Sequence, residues 1–146
     1  MRIVGVWWFL CISLFSTSCI ADQFAIVTGA NALPELTDIQ VKMLYRGRLT
    51  HIGGSNVQLA DLPSGSAIRA HFYHRLLGKS PTQMQAIRAR QSFSGKFIPP
   101  YELHNEDMNT VSQWLNEHPN GIAYIPQDWI SDQVRILYRL GDEESL

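Results

Sequence analysis

The chain has 146 residues, 45% of them hydrophobic and 17% charged, with a formal net charge of −1. That balance excludes a disordered polar segment or a fibrous repeat, and the lack of a basic run argues against nucleic acid as a partner. The length suits one globular domain.

Met1 to about Ala21 reads as a signal peptide, with residues 22–140 as the domain and 141–146 as a polar, acidic tail. Arg2 gives the positive start, Ile3 to Phe15 is uncharged and apolar, and Ser16 to Ala21 is the small, polar stretch before cleavage. A membrane anchor is the alternative, but an apolar run of about 13 residues is shorter than the roughly 20 of a spanning helix. Acylation at Cys19 is a further alternative; Ser16, three positions upstream, is not the aliphatic residue such a signal carries. Cys11 and Cys19 both fall in this leader, so the exported domain is expected to have no disulfide. The expected location is the periplasm.

Phe24 to Thr28 predicts a buried strand that leaves the sheet at Gly29. Thr37 and Asp38 open a helix whose apolar positions are Leu36, Ile39, Met43 and Leu44, and Gly47 stops it. Gly53-Gly54-Ser55-Asn56 predicts a turn into a short strand, Val57 to Ala60. Ser64-Gly65-Ser66 then opens a helix with Ile68, Phe72, Leu76 and Leu77 on its buried side, closed by Gly78. Ser80 and Pro81 start the next helix, which carries Met84 and Ile87 inward and ends at Ser94-Gly95. Pro99-Pro100 breaks regular structure before a helix bearing Val111, Trp114 and Leu115. Strands at Ile122 to Ile125 and Val134 to Tyr138 follow, with Gln127 to Ser131 between them as a loop or short helix.

Strands alternating with helices predict an α/β fold with a mixed sheet flanked by helices. Ligands in such folds sit beyond the strand ends, where helix N-termini direct free N–H groups toward them. The turn Ser64-Gly65-Ser66 fits, because it follows a strand, offers backbone and hydroxyl donors, and places Arg69 one turn in. Plain helix capping by Ser64 or Ser66 explains the same residues. Thr28 to Asn31, after the first strand, is a second loop from which Asn31 can supply a donor, and an ordinary Gly/Asn turn explains it equally well.

Leu36-Thr37-Asp38-Ile39-Gln40 with Tyr45-Arg46-Gly47, Ser64-Gly65-Ser66 with Arg69 and Phe72, Phe93-Ser94-Gly95-Lys96, and Pro119-Asn120-Gly121-Ile122-Ala123-Tyr124-Ile125 follow one another in a telling order. The chain resembles the phosphate-type solute-binding proteins of ABC transporters, in a short, single-domain form. The resemblance implies a periplasmic-binding-protein-like fold and phosphate or a similar small oxyanion held at Ser64, Gly65 and Ser66. It also implies a transporter permease or sensor protein as partner. In the family an arginine stands a few residues before the turn; here that position is near Ala60, and the length suits one lobe rather than two.

No enzyme motif stands out: the nucleophile-elbow pattern fails at Leu62, and there is no nucleotide-binding loop or HExxH helix. His71 and His74 lie three apart on a helix, which reads as a solvated pair rather than a metal site, and no cofactor is expected. The alternative to ligand binding is a non-catalytic interaction module of an envelope complex or sensor that keeps the fold alone.

Overall fold

In the computed structural model of the chain, residues 23–29, 33–95 and 97–141 are described. The expected signal peptide with Cys19, the loop residue Asn31, Lys96 of the resemblance and the tail from Asp142 on lie outside them.

Phe24–Thr28 forms β1, buried along its whole length, and its last side chain donates from Thr28 Oγ1 to Gly121 O at 2.8 Å. The helix α1, Asp38–Tyr45, starts where its local chemistry dictates. Gln40 N–H donates to Thr37 Oγ1 at 3.3 Å while Thr37 N–H donates to Gln40 Oε1 at 2.9 Å, a reciprocal capping box. Its buried stripe is Val41, Leu44 and Tyr45, and Ile39 is 68% exposed. Of the apolar positions expected on this helix, Ile39 thus faces outward, because it lies two residues, about 200° of helix, from Val41. Tyr45 instead takes the inward position.

Across Gly53-Gly54, both at positive φ (57° and 81°), β2 (His51–Ile52) and β3 (Ser55–Asn56) make a small hairpin where a bare turn was expected. Strand β4 is Gln58–Asp61, one residue later than predicted, and α2 is Ala67–Leu77, ending on Gly78 at φ 64°. Helix α3, Pro81–Ser92, has the expected Ser80 cap and leading proline. A strand absent from the prediction, β5 (Tyr101–Glu102), follows Pro99-Pro100 directly. Two residues carry no periodicity, so its strand character comes from pairing with β4 alone. Helix α4 is Met108–Glu117, β6 is Gly121–Pro126, a 3-10 turn spans Gln127–Trp129, and β7 is Arg135–Leu140.

The main sheet has the order β5-β4-β6-β1-β7. β4 is parallel to both β5 and β6, whereas β1 is antiparallel to β6 and β7. The expected mixed α/β sheet flanked by helices is what forms.

An aromatic cluster joins helices to sheet. Phe72 of α2 stacks on Tyr124 of β6 at 3.7 Å between centroids and 5° between planes, and Tyr45 meets Phe72 edge-on at 5.0 Å. Phe72 has no exposed surface, so Phe72→Ala would cost about 3–5 kcal/mol by the usual scale for core aromatics. At Gly121 the chain passes too close to α4 for a side chain, since a Cβ there would lie 2.7 Å from the Trp114 ring and 2.8 Å from His118 O. Gly121 thus lets β6 begin directly against the end of α4. With β6 on one side and β5 on the other, β4 delivers its carboxyl end, and then the turn into α2, to one rim of the sheet.

Candidate functional site

The turn into α2 is built by its own side chains. Ser66, at the N-cap with extended backbone, accepts from Arg69 N–H through Oγ at 3.0 Å and is itself buried. Ser66 N–H donates back to Pro63 O at 2.9 Å. Gly65 has open space where a Cβ would stand and does not adopt a positive φ, so the protein's own packing and backbone do not demand a glycine there. Ser64 N–H donates to Glu102 Oε1 at 3.3 Å.

Arg69 reaches three oxygens. Its Nη1 donates to Leu62 O at 2.8 Å and to Glu102 Oε2 at 3.3 Å, while Nη2 pairs with Asp61 Oδ2 at 3.4 Å. The structure therefore gathers Ser64, Gly65, Ser66 and Arg69 round one turn, with the guanidinium and the Ser64 N–H converging on the Glu102 carboxylate.

Beneath the turn lies a group that the sequence did not reveal. Asp61, 2% exposed at the end of β4, accepts from Tyr73 Oη at 2.8 Å, from Tyr124 Oη, and from Arg88 Nη2 at 3.0 Å. Arg88 also donates to Tyr73 Oη, and its guanidinium carbon lies 5.0 Å from the Tyr73 ring centroid. Tyr124 Oη in turn accepts from Leu62 N–H at 3.2 Å, tying the start of the loop to β6. A buried carboxylate is tolerable only with this many partners, because each lost bond would leave charge in a dry interior.

These surroundings move the titrations in definite directions. Burial, and then the Asp61 charge, raise Tyr73 and Tyr124 well above the ordinary tyrosine value. Tyr45 is raised by the same two causes in the same order. For Arg88, burial works against the cation, but the Tyr73 oxygen and the Asp61 carboxylate outweigh it and the pKa rises.

A cavity of about 490 Å³ opens beside this cluster, lined in part by Ser64, Arg69, Tyr73, Gln85, Arg88 and Glu102. The buried Nε of Arg88 has no hydrogen-bond partner among the described residues. On the far side of β5 is an apolar groove of similar size, lined in part by Leu59, Ile98, Tyr101, Glu102, Trp114 and His118. His71 and His74 stand on the exposed face of α2, and among the described residues no three His, Cys, Asp or Glu side chains cluster as metal ligands. No helix among the described residues is long and apolar enough to cross a membrane.

No family model and no curated protein matches the sequence. Solved structures do match the fold. An ABC-type phosphate transport receptor from Vibrio cholerae superposes with a TM-score of 0.59 at 16% identity, over 81% of this chain and 47% of that one. A putative phosphate ABC transporter substrate-binding protein from Clostridium perfringens, with bound phosphate, gives 0.59 at 19% identity, over 81% and 45%. The chain thus spans about half the length of the structures it matches, and at this identity the likeness is one of fold.

Proposed function

We propose that this chain binds a small oxyanion, inorganic phosphate foremost, at the turn Ser64-Gly65-Ser66 with Arg69, and serves as an exported solute-binding component rather than an enzyme. One observation carries this reading: the Ser64 N–H and the Arg69 guanidinium already converge on a carboxylate, each at 3.3 Å. Donors that hold an internal anion in this way are suited to an external one, and they sit at the N-terminal end of a helix, whose partial charge favours anions. A second arginine, Arg88, borders the same cavity, and its buried Nε–H has no partner among the described residues. The likeness in fold to two phosphate transport proteins points the same way. On this reading the ligand is handed to a permease or sensed by a partner in the envelope.

Calorimetric titration of the domain after Ala21 with phosphate and with sulfate is the direct test. Heat of binding for phosphate, weakened about tenfold or more by Arg69→Ala through loss of a charge-assisted contact, is the expected result. The absence of both heat and a thermal shift at millimolar anion, in the native domain and in Glu102→Ala alike, would end the proposal. A second reading, an interaction module that keeps the fold without a ligand, draws on the same charges: Asp61 and Glu102 already balance Arg69 and Arg88.

A further inference from the structure

The two carboxylates beside Arg69 are not equally able to leave it. Asp61 is buried and held by Tyr73, Tyr124, Arg88 and Arg69, so its removal from the site would strand charges in the interior. Glu102 has a side chain 53% exposed, two contacts of 3.3 Å each, and a place on a two-residue strand at the edge of the sheet. Exposed pairs of this kind contribute little to stability and break readily. The backbone beside it is fixed, because Leu103 N–H donates to Asp61 O at 2.8 Å, so motion falls to the side chain. Glu102 also has somewhere to go. Its side chain is about half exposed, so rotation carries the carboxylate from Arg69 into solvent, and among the described residues Glu102 alone lines both the arginine cavity and the apolar groove.

We propose that Glu102 is a built-in competitor for the oxyanion site, occupying the donors of the α2 turn until a ligand displaces it and thereby setting both affinity and selectivity. The inference rests on the oxyanion reading above. With Glu102 in place the two arginines are neutralised by two carboxylates, and an entering anion meets repulsion as well as occupied donors. With Glu102 turned out into solvent, Arg69 and Ser64 N–H are released and only Asp61 remains against the two cations. Displacement and binding are then one equilibrium, in which the apparent affinity is lowered by the fraction of molecules with the site open. A monocarboxylate offers these donors little that Glu102 does not already supply, so acetate is a poor ligand for the native chain. The phosphate dianion, with more charge and more acceptor oxygens, prevails.

The test is titration of inorganic phosphate, and separately acetate, into the native domain and the variants Glu102→Gln and Glu102→Ala, with circular dichroism melts to verify folding. A resident carboxylate favoured about ninefold over the open state corresponds to phosphate binding about tenfold tighter in both variants. Acetate should bind measurably to Glu102→Ala alone, in the vacated position. Phosphate binding by the variants but not by the native chain also supports the inference, in its strongest form. If native and variant chains bind phosphate equally, or the variants bind it more weakly, Glu102 is not a competitor and the inference falls while the oxyanion site stands. If none of the three binds phosphate at millimolar concentration, the oxyanion reading fails and takes the inference with it.

Discussion

Asp61 and Glu102 both pair with Arg69, yet one is sealed beneath the sheet rim among hydroxyls and guanidinium groups and the other stands half in solvent. The difference separates two tasks that share one arginine. The Asp61 cluster is architecture: it joins β4, α2, α3 and β6 through a charge that cannot be left unpaired. The Glu102 contacts close a surface cavity and are weak enough to open. Burial decides which is which, because the same ion pair costs several kcal/mol to break in a dry interior and about 1 kcal/mol or less in water.

The sharpest way to break this contrast is to remove each acid in turn. Asp61→Ala should destabilise the fold by about 3–5 kcal/mol in urea titration, since Arg88 and Arg69 lose their buried counter-charge. A loss below about 1 kcal/mol would mean that the cluster behaves as a surface network.

Alkaline pH probes the same cluster without mutation. Tyr45, Tyr73 and Tyr124 all titrate above their ordinary value in the fold, through burial first and the Asp61 charge second. The unfolded chain therefore loses these protons from pH about 10 upward while the native state keeps them. Stability is complete below about pH 10 and declines as pH rises through the folded values. Melts across that range should show the decline, and Tyr124→Phe should make it shallower; an unchanged slope would remove Tyr124 from the linkage.

Ser66→Ala takes away the α2 cap and should cost about 1 kcal/mol, read by thermal unfolding. The cap is local, so the Asp61 cluster should survive it, with the alkaline decline unaltered. Smallest of all, Glu102→Ala should change stability by about 1 kcal/mol or less. A larger loss would show that Glu102 belongs to the architecture and would erase the contrast with Asp61.

Most of the elements were legible because their signals are local. Thr37 with Gln40 and Ser80 with Gln83 cap their helices from three residues away. The apolar spacing of α1 leaves its inner face open, because several apolar residues suit either side of a short helix, and the aromatic cluster takes Tyr45 rather than Ile39. Within the candidate site, Ser64, Gly65, Ser66 and Arg69 were visible from the strand-to-helix turn they form. Asp61, Arg88 and Glu102 gave no signal of their own.

The sequence by itself determined the starts of α1, α2 and α3, the buried strand β1, the mixed α/β character and the position of the turn before α2, since each depends on neighbours within a turn or on hydrophobic spacing. Tertiary structure decided which charges that turn would meet. Glu102 lies 33 residues from Arg69, Arg88 27 from Asp61, and Tyr124 63 from Asp61. Such pairings arise only when β4 is set between β5 and β6 and α3 packs beside α2. No periodicity records them, because a charge finds its partner through the folded geometry and not through its place in the chain.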